Sequence, residues 1–182
     1  MRQSALLLLF LTLTLQGCAA TYGVYDDQRL SDTIADDKVL ASKIKADIAK
    51  EKLSTGWAVA VYSYYGNVYL VGEVPQDMHN KVLTIARRHK PRSVTPHWFS
   101  PATADTGDVV LATKLRAELI GTKGLSSTRI DTEVNSGRVV LLGVVKDDAE
   151  KRLAIHAAKE VKGIKSVTSY LILPQRGGAV LE

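Results

Sequence analysis

Gly66-Asn-Val-Tyr-Leu-Val-Gly-Glu-Val74 recurs in outline as Gly137-Arg-Val-Val-Leu-Leu-Gly-Val-Val145, 71 positions further along the chain. Both stretches are rich in valine and leucine and follow a short polar segment, which is typical of a strand that leaves a tight turn. Each is preceded by a second apolar run, so each pair of runs predicts a β-hairpin whose turn holds the first glycine. The second glycine, Gly72 or Gly143, interrupts the strand and indicates a bulge or a close helix crossing.

The same offset of 71 relates the segments that precede these hairpins. Residues 37–48 match residues 108–119, with leucine or isoleucine at every fourth position, and this spacing predicts a helix with one apolar stripe. Asp37 and Asp108 stand at the start of the two segments. We expect each aspartate to supply a helix cap or a first-turn charge.

A second helix is expected after each hairpin, near residues 77–89 and 148–161, and a last strand, 167–173, closes the second copy. The order helix, strand, strand, helix, strand predicts an α+β fold with two tandem small domains, each a three-stranded mixed sheet covered by two helices. In the first copy, residues 90–99 lack the glycine of the second copy and contain two prolines. Its third strand is therefore expected to be short, shifted or at an edge.

This pattern resembles the BON domain. The resemblance rests on the first helix, the repeated Gly-x-Val-x-Leu-x-Gly-x-Val stretch, the alanine-rich second helix and the segment Val161-Lys-Gly-Ile-Lys-Ser-Val167. Two such copies look like the dual BON-domain lipoproteins of Gram-negative envelopes. The resemblance implies a non-catalytic envelope role, namely binding phospholipid or other envelope surfaces and keeping the outer membrane intact. The glycines expected to be structural are Gly66, Gly72, Gly137, Gly143 and Gly163.

The first eighteen residues have the layout of a bacterial lipoprotein signal. A single positive charge precedes an apolar run from Ala5 to Leu15, which is shorter than the roughly 20 residues that span a bilayer. Leu15-Gln-Gly-Cys18 resembles a lipobox, with glutamine in place of the commonest small residue, and it holds the one cysteine of the chain. The resemblance implies cleavage before Cys18 and its modification with acyl chains such as palmitate. The alternative is an ordinary secretory signal with an incidental cysteine.

Ala19 follows the cysteine, and by resemblance to Gram-negative lipoproteins this residue points to a lipid-anchored protein of the outer membrane that faces the periplasm. Because no second cysteine is present, a disulfide within the chain is excluded. The predicted organisation is a signal peptide at 1–17, a lipidated N-terminus and tether at 18–36, a first domain at 37–100, a linker at 101–107, a second domain at 108–174 and a disordered tail at 175–182.

The formal net charge of +5 at pH 7 is mild, so a nucleic-acid partner is not expected. This charge is unevenly distributed, because residues 81–92 hold five lysines and arginines and no acidic residue. The run is either a solvated helix end or a contact for an anionic surface, near which each cation contributes roughly 1 kcal/mol. The predicted basic patch consists of Arg87, Arg88, Lys90 and Arg92.

The first helix of the second copy carries apolar residues outside its buried stripe. Leu111, Leu115 and Leu119 form the stripe, whereas Val109 lies about 200° around the helix from Leu111. Exposed apolar residues beside cations suit insertion at a lipid interface. The alternative is that the sheet or the other domain covers them. The predicted membrane-binding residues are Val109, Val110, Lys114, Arg116 and Ile120.

Aromatic residues are concentrated in the first copy. We expect them on the sheet surface or at a domain interface, and not in a ligand cage, because tyrosine and tryptophan favour half-buried places. Trp98 and Phe99 are expected to pack between the domains. The remaining members are Trp57, Tyr62, Tyr64, Tyr65 and Tyr69.

The sequence contains no constellation typical of an enzyme, so we predict no catalysis, no cofactor, no metal site and no small-molecule substrate. The four histidines lack the His-x-x-x-His spacing of a metal site, and Gly121-Thr-Lys-Gly124 lacks the spacing of a phosphate loop. The leading hypothesis is that the second copy binds anionic phospholipid headgroups while the first copy supports it. The alternative is a structural adaptor that binds an envelope protein or peptidoglycan.

Overall fold

The computed structural model describes residue 29, residues 31–101 and residues 107–175. Within them the chain forms two copies of one architecture. The first copy comprises α1 (Ser31–Glu51), α2 (Leu53–Ala58), β1 (Val59–Tyr64), β2 (Asn67–Gly72), α3 (Gln76–Arg88) and β3 (Ser93–Trp98). The second comprises α4 (Gly107–Gly121), a 3-10 turn (Ser127–Arg129), β4 (Ile130–Asn135), β5 (Arg138–Val144), α5 (Asp148–Glu160) and β6 (Ser166–Ile172).

Each copy contains a three-stranded mixed sheet. In the first, β1 pairs antiparallel with β2, and β2 pairs parallel with β3; β4, β5 and β6 repeat this arrangement. The parallel pair requires a crossover, which α3 and α5 supply by packing on the same sheet face as α1 and α4 respectively. The predicted α+β architecture with two tandem domains is confirmed.

The third strand of the first copy lies at a sheet edge, as its prolines predict. Pro96 lies opposite Leu70 in an edge strand, because β3 pairs with β2 alone. A proline, which has no backbone N–H to donate, is tolerated in such a strand. The strand is six residues long, against seven for β6, so it is only slightly shortened. Ser93 faces Asn67 whereas Ser166 faces Arg138. The offset between the copies therefore grows from 71 to 73, because the first copy has two residues fewer between the start of its second strand and the start of its third.

Two-residue turns, Tyr65-Gly66 and Ser136-Gly137, close the two hairpins, and all four residues have positive φ. Such a turn matches the twist of the strands and favours glycine at its second position. The side chain of Asp37 accepts both amides of the first turn at 2.7 and 2.8 Å. Asp108 accepts both amides of the second turn at 2.6 and 3.1 Å. Both aspartates thus fix a hairpin turn to a helix.

The start of α1 differs from the sequence-based prediction. The helix begins at Ser31, six residues before its predicted start at residue 37, because Ile34 is only 4% exposed and Asp32 lies in the first turn. Asp37 is therefore well inside α1, and its predicted role as an N-cap or first-turn charge is wrong. Asp108 does lie in the first turn of α4.

Gly72 and Gly143 are required by the backbone of the neighbouring strand. A Cβ atom on Gly72 would stand 1.9 Å from the carbonyl oxygen of Ala58, and one on Gly143 would stand 2.0 Å from that of Arg129. No side chain fits at such distances. The sequence suggested a bulge or a close helix crossing at these glycines, whereas the group that approaches them is the carbonyl of the residue directly before the paired strand.

A buried ion pair holds the start of α5. The side chain of Glu150 is 5% exposed, and its carboxylate accepts hydrogen bonds from the guanidinium of Arg129 at 2.8 and 3.0 Å. It also accepts the amides of Ser126 at 2.8 Å and Lys146 at 2.6 Å. Asp147 caps the helix by accepting the amide of Glu150 at 2.8 Å. The acidic residues at the start of α5 thus favour the helix dipole and also hold the helix to the preceding loop.

Candidate membrane-binding surface and domain seam

The two sheets pack against each other through the faces that their helices leave uncovered. We call this contact the seam. The rings of Tyr69 and Tyr170 lie 5.5 Å apart across it, so the tyrosine-rich strands of the first copy lie at a domain interface. The buried members of the seam are Tyr64, Tyr69, Val71, Phe99, Val140, Leu142 and Val144.

Trp98 does not belong to the seam, although Phe99 does. Adjacent residues in an extended segment point to opposite faces. Trp98 therefore packs against the core of the first copy, where its ring stacks on His79 at 5.0 Å. The expectation that both residues pack between the domains is wrong for Trp98. The side chain of Trp57 lies outside the part that the structure describes.

Two phenol–carboxylate hydrogen bonds cross the seam. Tyr62 donates to Glu133 at 2.5 Å and Tyr64 donates to Asp131 at 2.6 Å. Burial raises the pKa of both tyrosines, and the facing carboxylates raise it further. Burial also raises the pKa of Glu133, against the opposing influence of the Tyr62 hydrogen bond and of nearby Lys45. The seam therefore contains titratable groups that are withdrawn from water.

Equivalent residues of the two copies meet in the seam. Tyr62 and Glu133 are related by the offset of 71, and they share a hydrogen bond. His97 and Tyr170 are related by the later offset of 73, and their side chains lie 3.1 Å apart. Equivalent positions contact each other only close to a two-fold axis. The copies therefore dock as the two subunits of an approximate symmetric dimer.

The docked copies run in opposite directions. Arg138, next to the second hairpin turn, donates to the carbonyl of Ser100 at 2.8 Å, just beyond the end of β3. Arg92, at the start of β3, donates to Gln175 at 3.3 Å, beyond the end of β6. The turn end of each sheet thus adjoins the other end of its partner. The helices lie outermost, in a four-layer sandwich of helices, sheet, sheet and helices.

The predicted apolar surface on α4 faces solvent. Val109 is 74% exposed, Val110 is 55% exposed and Ile120 is 64% exposed. Neither the sheet nor the first copy covers them, because α4 lies in an outermost layer. Val109 and Ile120 are about 20° apart around the helix axis, so the outward face of α4 carries apolar residues near both ends.

The two cations predicted to accompany this face differ in their surroundings. Lys114 is exposed. Arg116 is exposed as well, but its guanidinium donates to the carbonyls of Ser127 at 3.2 Å and Ile130 at 2.9 Å. Arg116 therefore has a structural task in fixing α4 to the start of β4. Lys114 is the better candidate for an anionic headgroup.

Two further lysines, which the sequence reading did not assign to this surface, lie near the start of α4. A Cβ atom on Gly163 would stand 3.3 Å from Leu111 of α4, and the amide of Lys165 donates to Gly137 at 2.8 Å. The turn between α5 and β6 therefore lies near the start of α4, and its Lys162 and Lys165 are exposed. The family-like Val-Lys-Gly-Ile-Lys segment was the available signal for them.

The predicted basic patch lies on the other side of the sandwich. Arg87 and Arg88 are exposed at the end of α3, and Lys90 and Arg92 are exposed in the connection to β3. Within the described residues, acidic side chains on this side bond to other groups: Glu51 pairs with Lys81, and Asp47 bonds Lys50 at 2.8 Å and the ring of His89 at 2.9 Å. The patch thus combines four accessible cations in one short segment.

A cavity of about 220 Å³ opens beside the seam, between α1, β1 and β4. Its polar walls are already engaged. Arg29 bonds Asp37 at 2.6 Å and lies 5.1 Å from the ring of Tyr64, whose hydroxyl bonds Asp131. Among residues 31–101 and 107–175, no cluster of histidine, cysteine or acidic side chains is placed to hold a metal ion. These contacts hold the start of α1 against the seam.

Cys18, the predicted lipidation site, and the predicted signal peptide lie outside the described residues. In the part that the structure describes, no helix has the length and apolar character needed to cross a bilayer.

Comparison with known proteins identifies both copies. The family model described as BON domain matches residues 36–95 and 107–175. The outer membrane lipoprotein DolP of Haemophilus influenzae is 27% identical over 179 residues, which cover 88% of this chain and 91% of that protein. An uncharacterised protein from the gshII 5′ region of Anaplasma centrale is 25% identical over 147 residues, covering 76% and 95%.

Among solved structures, the chain is similar to the C-terminal domain of CdsD, a structural protein of the type III secretion system of Chlamydia trachomatis. The TM-score is 0.33 at 12% sequence identity, over 76% of this chain and 67% of that one.

Proposed function

Because the chain belongs to the BON-domain family, with two tandem copies of the domain, we propose that it is a non-enzymatic envelope lipoprotein that binds anionic phospholipid surfaces. It is anchored through Cys18 in the outer membrane, faces the periplasm and helps to maintain the integrity of that membrane. The similarity to an outer membrane lipoprotein over most of both chains supports this location. The lipobox-like segment before Cys18 supports the anchor.

The observation that carries the proposal is the outward face of α4. Val109 and Val110 are large apolar side chains held in water on a rigid, well-packed helix. Lys114 on the helix and Lys162 and Lys165 beside its start supply positive charge. Apolar residues that enter the headgroup region, flanked by cations, are the usual composition of a membrane-surface site.

Such a site is weak by itself, and this suits an anchored protein. A fully buried valine contributes about 1.5–3 kcal/mol, and each cation near an anionic surface contributes about 1 kcal/mol. The acyl chains would hold the domains at a high local concentration next to the bilayer. The α4 face therefore selects which lipids are contacted, while the anchor retains the protein.

The test is binding of the full chain without its acyl chains to vesicles of anionic and of neutral phospholipid. Val110→Asp should reduce binding to anionic vesicles about tenfold or more, because it places a carboxylate at the point of insertion. The matched control is Val39→Asp, at the equivalent position of α1, where valine is 48% exposed. Equal affinity of the unmodified chain for both vesicle types, or equal loss in the two variants, would refute the proposal.

A structural adaptor is the second candidate function, and the basic patch of the first copy favours it. The tyrosine-rich strands no longer do, since the seam buries them. Crosslinking in intact envelopes separates the two functions, because an adaptor predicts a dominant crosslink through the patch at Arg87 and Arg88.

A further inference from the structure

The basic patch and the α4 face point in opposite directions. α1 and α3 cover the outer face of one sheet, α4 and α5 cover the outer face of the other, and the seam lies between the sheets. Packed sheets are about 10 Å apart, and each helix layer adds about 10 Å more. A chain that lies on a flat bilayer through α4 therefore holds Arg87 and Arg88, at the end of α3, roughly 30 Å away from it. Arg92 lies nearer to the bilayer, since it donates to Gln175 of the second copy.

The patch also differs from the α4 face in chemistry. Within the described residues, the large exposed apolar side chains are Val39, Val109, Val110, Ile120 and Leu173, and none of them belongs to the segment from Arg87 to Arg92. A surface without an apolar wedge has little to insert into acyl chains. It suits a hydrated polyanion, which needs charge contacts alone.

The residue types narrow the partner further. Three of the four cations are arginines, whose planar guanidinium matches a carboxylate with two parallel hydrogen bonds. Pro91 lies between Lys90 and Arg92 and restricts the backbone that presents them. The patch is therefore a compact, partly rigid set of donors at the end of a helix.

We propose that the basic patch of Arg87, Arg88, Lys90 and Arg92 binds the carboxylates of peptidoglycan, so that the chain bridges the bilayer under α4 and the polymer beyond it. This goes beyond lipid binding. It rests on the proposed function for the periplasmic location and for the identity of the first surface, whereas binding by the patch is measured separately. The cations of the two sites belong to different copies, and Arg92 is the member of the patch that also contacts the second copy, through Gln175.

The experiment is co-sedimentation of the full chain with purified peptidoglycan sacculi, at low and at raised salt. Arg87→Glu with Arg88→Glu should weaken binding about tenfold or more, because two attractive contacts become repulsive. The matched control, Arg152→Glu with Lys159→Glu on α5, makes the same change in net charge at exposed positions and should change binding less than about twofold. Sacculi whose carboxylates are amidated should bind the unmodified chain as weakly as the patch variant.

Three outcomes would overturn the proposal: no sedimentation of the unmodified chain with sacculi, equal loss in the control, or full binding to amidated sacculi. If the reversed variant fails to fold, Arg87→Gln with Arg88→Gln tests the same prediction with a milder change. Vesicle binding keeps the two proposals distinguishable. Val110→Asp should lose binding to vesicles and retain binding to sacculi. The patch variant should lose binding to sacculi and retain binding to vesicles.

Discussion

At the scale of the single residue, Gly143 shows how little space the hairpins leave. Its φ is +135°, and a Cβ atom there would overlap the carbonyl oxygen of Arg129. Gly143→Ala should therefore destabilise the protein by about 2–4 kcal/mol, since the backbone must move to accept one methyl group. Urea unfolding followed by far-ultraviolet circular dichroism measures this loss.

Gly121 provides the matched control for this substitution. It ends α4, and a Cβ atom there would meet no atom within 4 Å. Gly121→Ala should be neutral or stabilising by up to about 1 kcal/mol, because alanine is the better helix former. If both variants lost the same stability, steric overlap at Gly143 would not be the cause.

At the scale of the element, α5 depends on the pair between Arg129 and Glu150. In the first copy the position equivalent to Glu150 is His79, which bonds the carbonyl of Val74 at 2.8 Å and stacks on Trp98. The first copy therefore fixes its second helix without a buried ion pair. The contribution of the ion pair to stability can therefore be measured by substitutions in the second copy alone.

Glu150→Ala should cost about 3–5 kcal/mol, because it leaves the guanidinium of Arg129 buried without its carboxylate partner. Replacing both residues, Arg129→Met with Glu150→Met, should cost distinctly less, since no unpaired charge remains. The unfolding midpoints of the two variants show which of them loses more stability. A double variant as unstable as the single one would contradict this account.

The elements were largely predictable, and their exceptions have local causes. The offset of 71 revealed both hairpins and both helix pairs, because each copy repeats the same apolar spacing. The start of α1 at Ser31 was missed, since an acidic segment concealed the one buried side chain, Ile34. The role of Asp37 and Asp108 was missed as well. A hydrogen bond from a helix to a distant turn has no signature in local spacing.

The candidate surface was only partly predictable, because some of its residues come together through tertiary packing. Helical periodicity is enough to show that Val109, Val110 and Ile120 leave the buried stripe. Lys162 and Lys165 join them only through tertiary packing of the turn after α5 on α4. The opposite orientation of the basic patch depends on how the sheets dock. The sequence predicted that the tyrosines lie either on a sheet surface or at a domain interface, and it did not distinguish between these two positions.

At the scale of the whole molecule, the seam makes stability depend on pH. Burial raises the pKa of Glu133, so between the unfolded and the folded pKa the folded protein retains a proton that the unfolded chain has lost. The contribution of Glu133 to stability is therefore greatest at low pH and is lost as the pH rises through the raised pKa. Glu133→Gln keeps an acceptor for Tyr62 but cannot titrate.

Between pH 7 and about pH 4.5, the unmodified chain should gain stability relative to Glu133→Gln. Urea unfolding at both pH values gives the difference in free energy directly. Glu118→Gln, at an exposed position of α4, should show a smaller change with pH. A constant difference for Glu133→Gln would mean that this carboxyl is not withdrawn from water in the seam.

The opposed directions of the two helices in each copy also determine how much the helix dipoles contribute to the electric field of the molecule. α1 begins beside the first hairpin turn, and α3 ends near it, so their peptide dipoles point in opposite directions. α4 and α5 are opposed in the same way, and the helix macrodipoles largely cancel within each copy. The torque that an anionic surface exerts on the approaching protein therefore comes from the placement of its lysines and arginines. Substituting exposed cations that lie outside the structural contacts described above, such as Lys114, should redirect its approach without any change of fold.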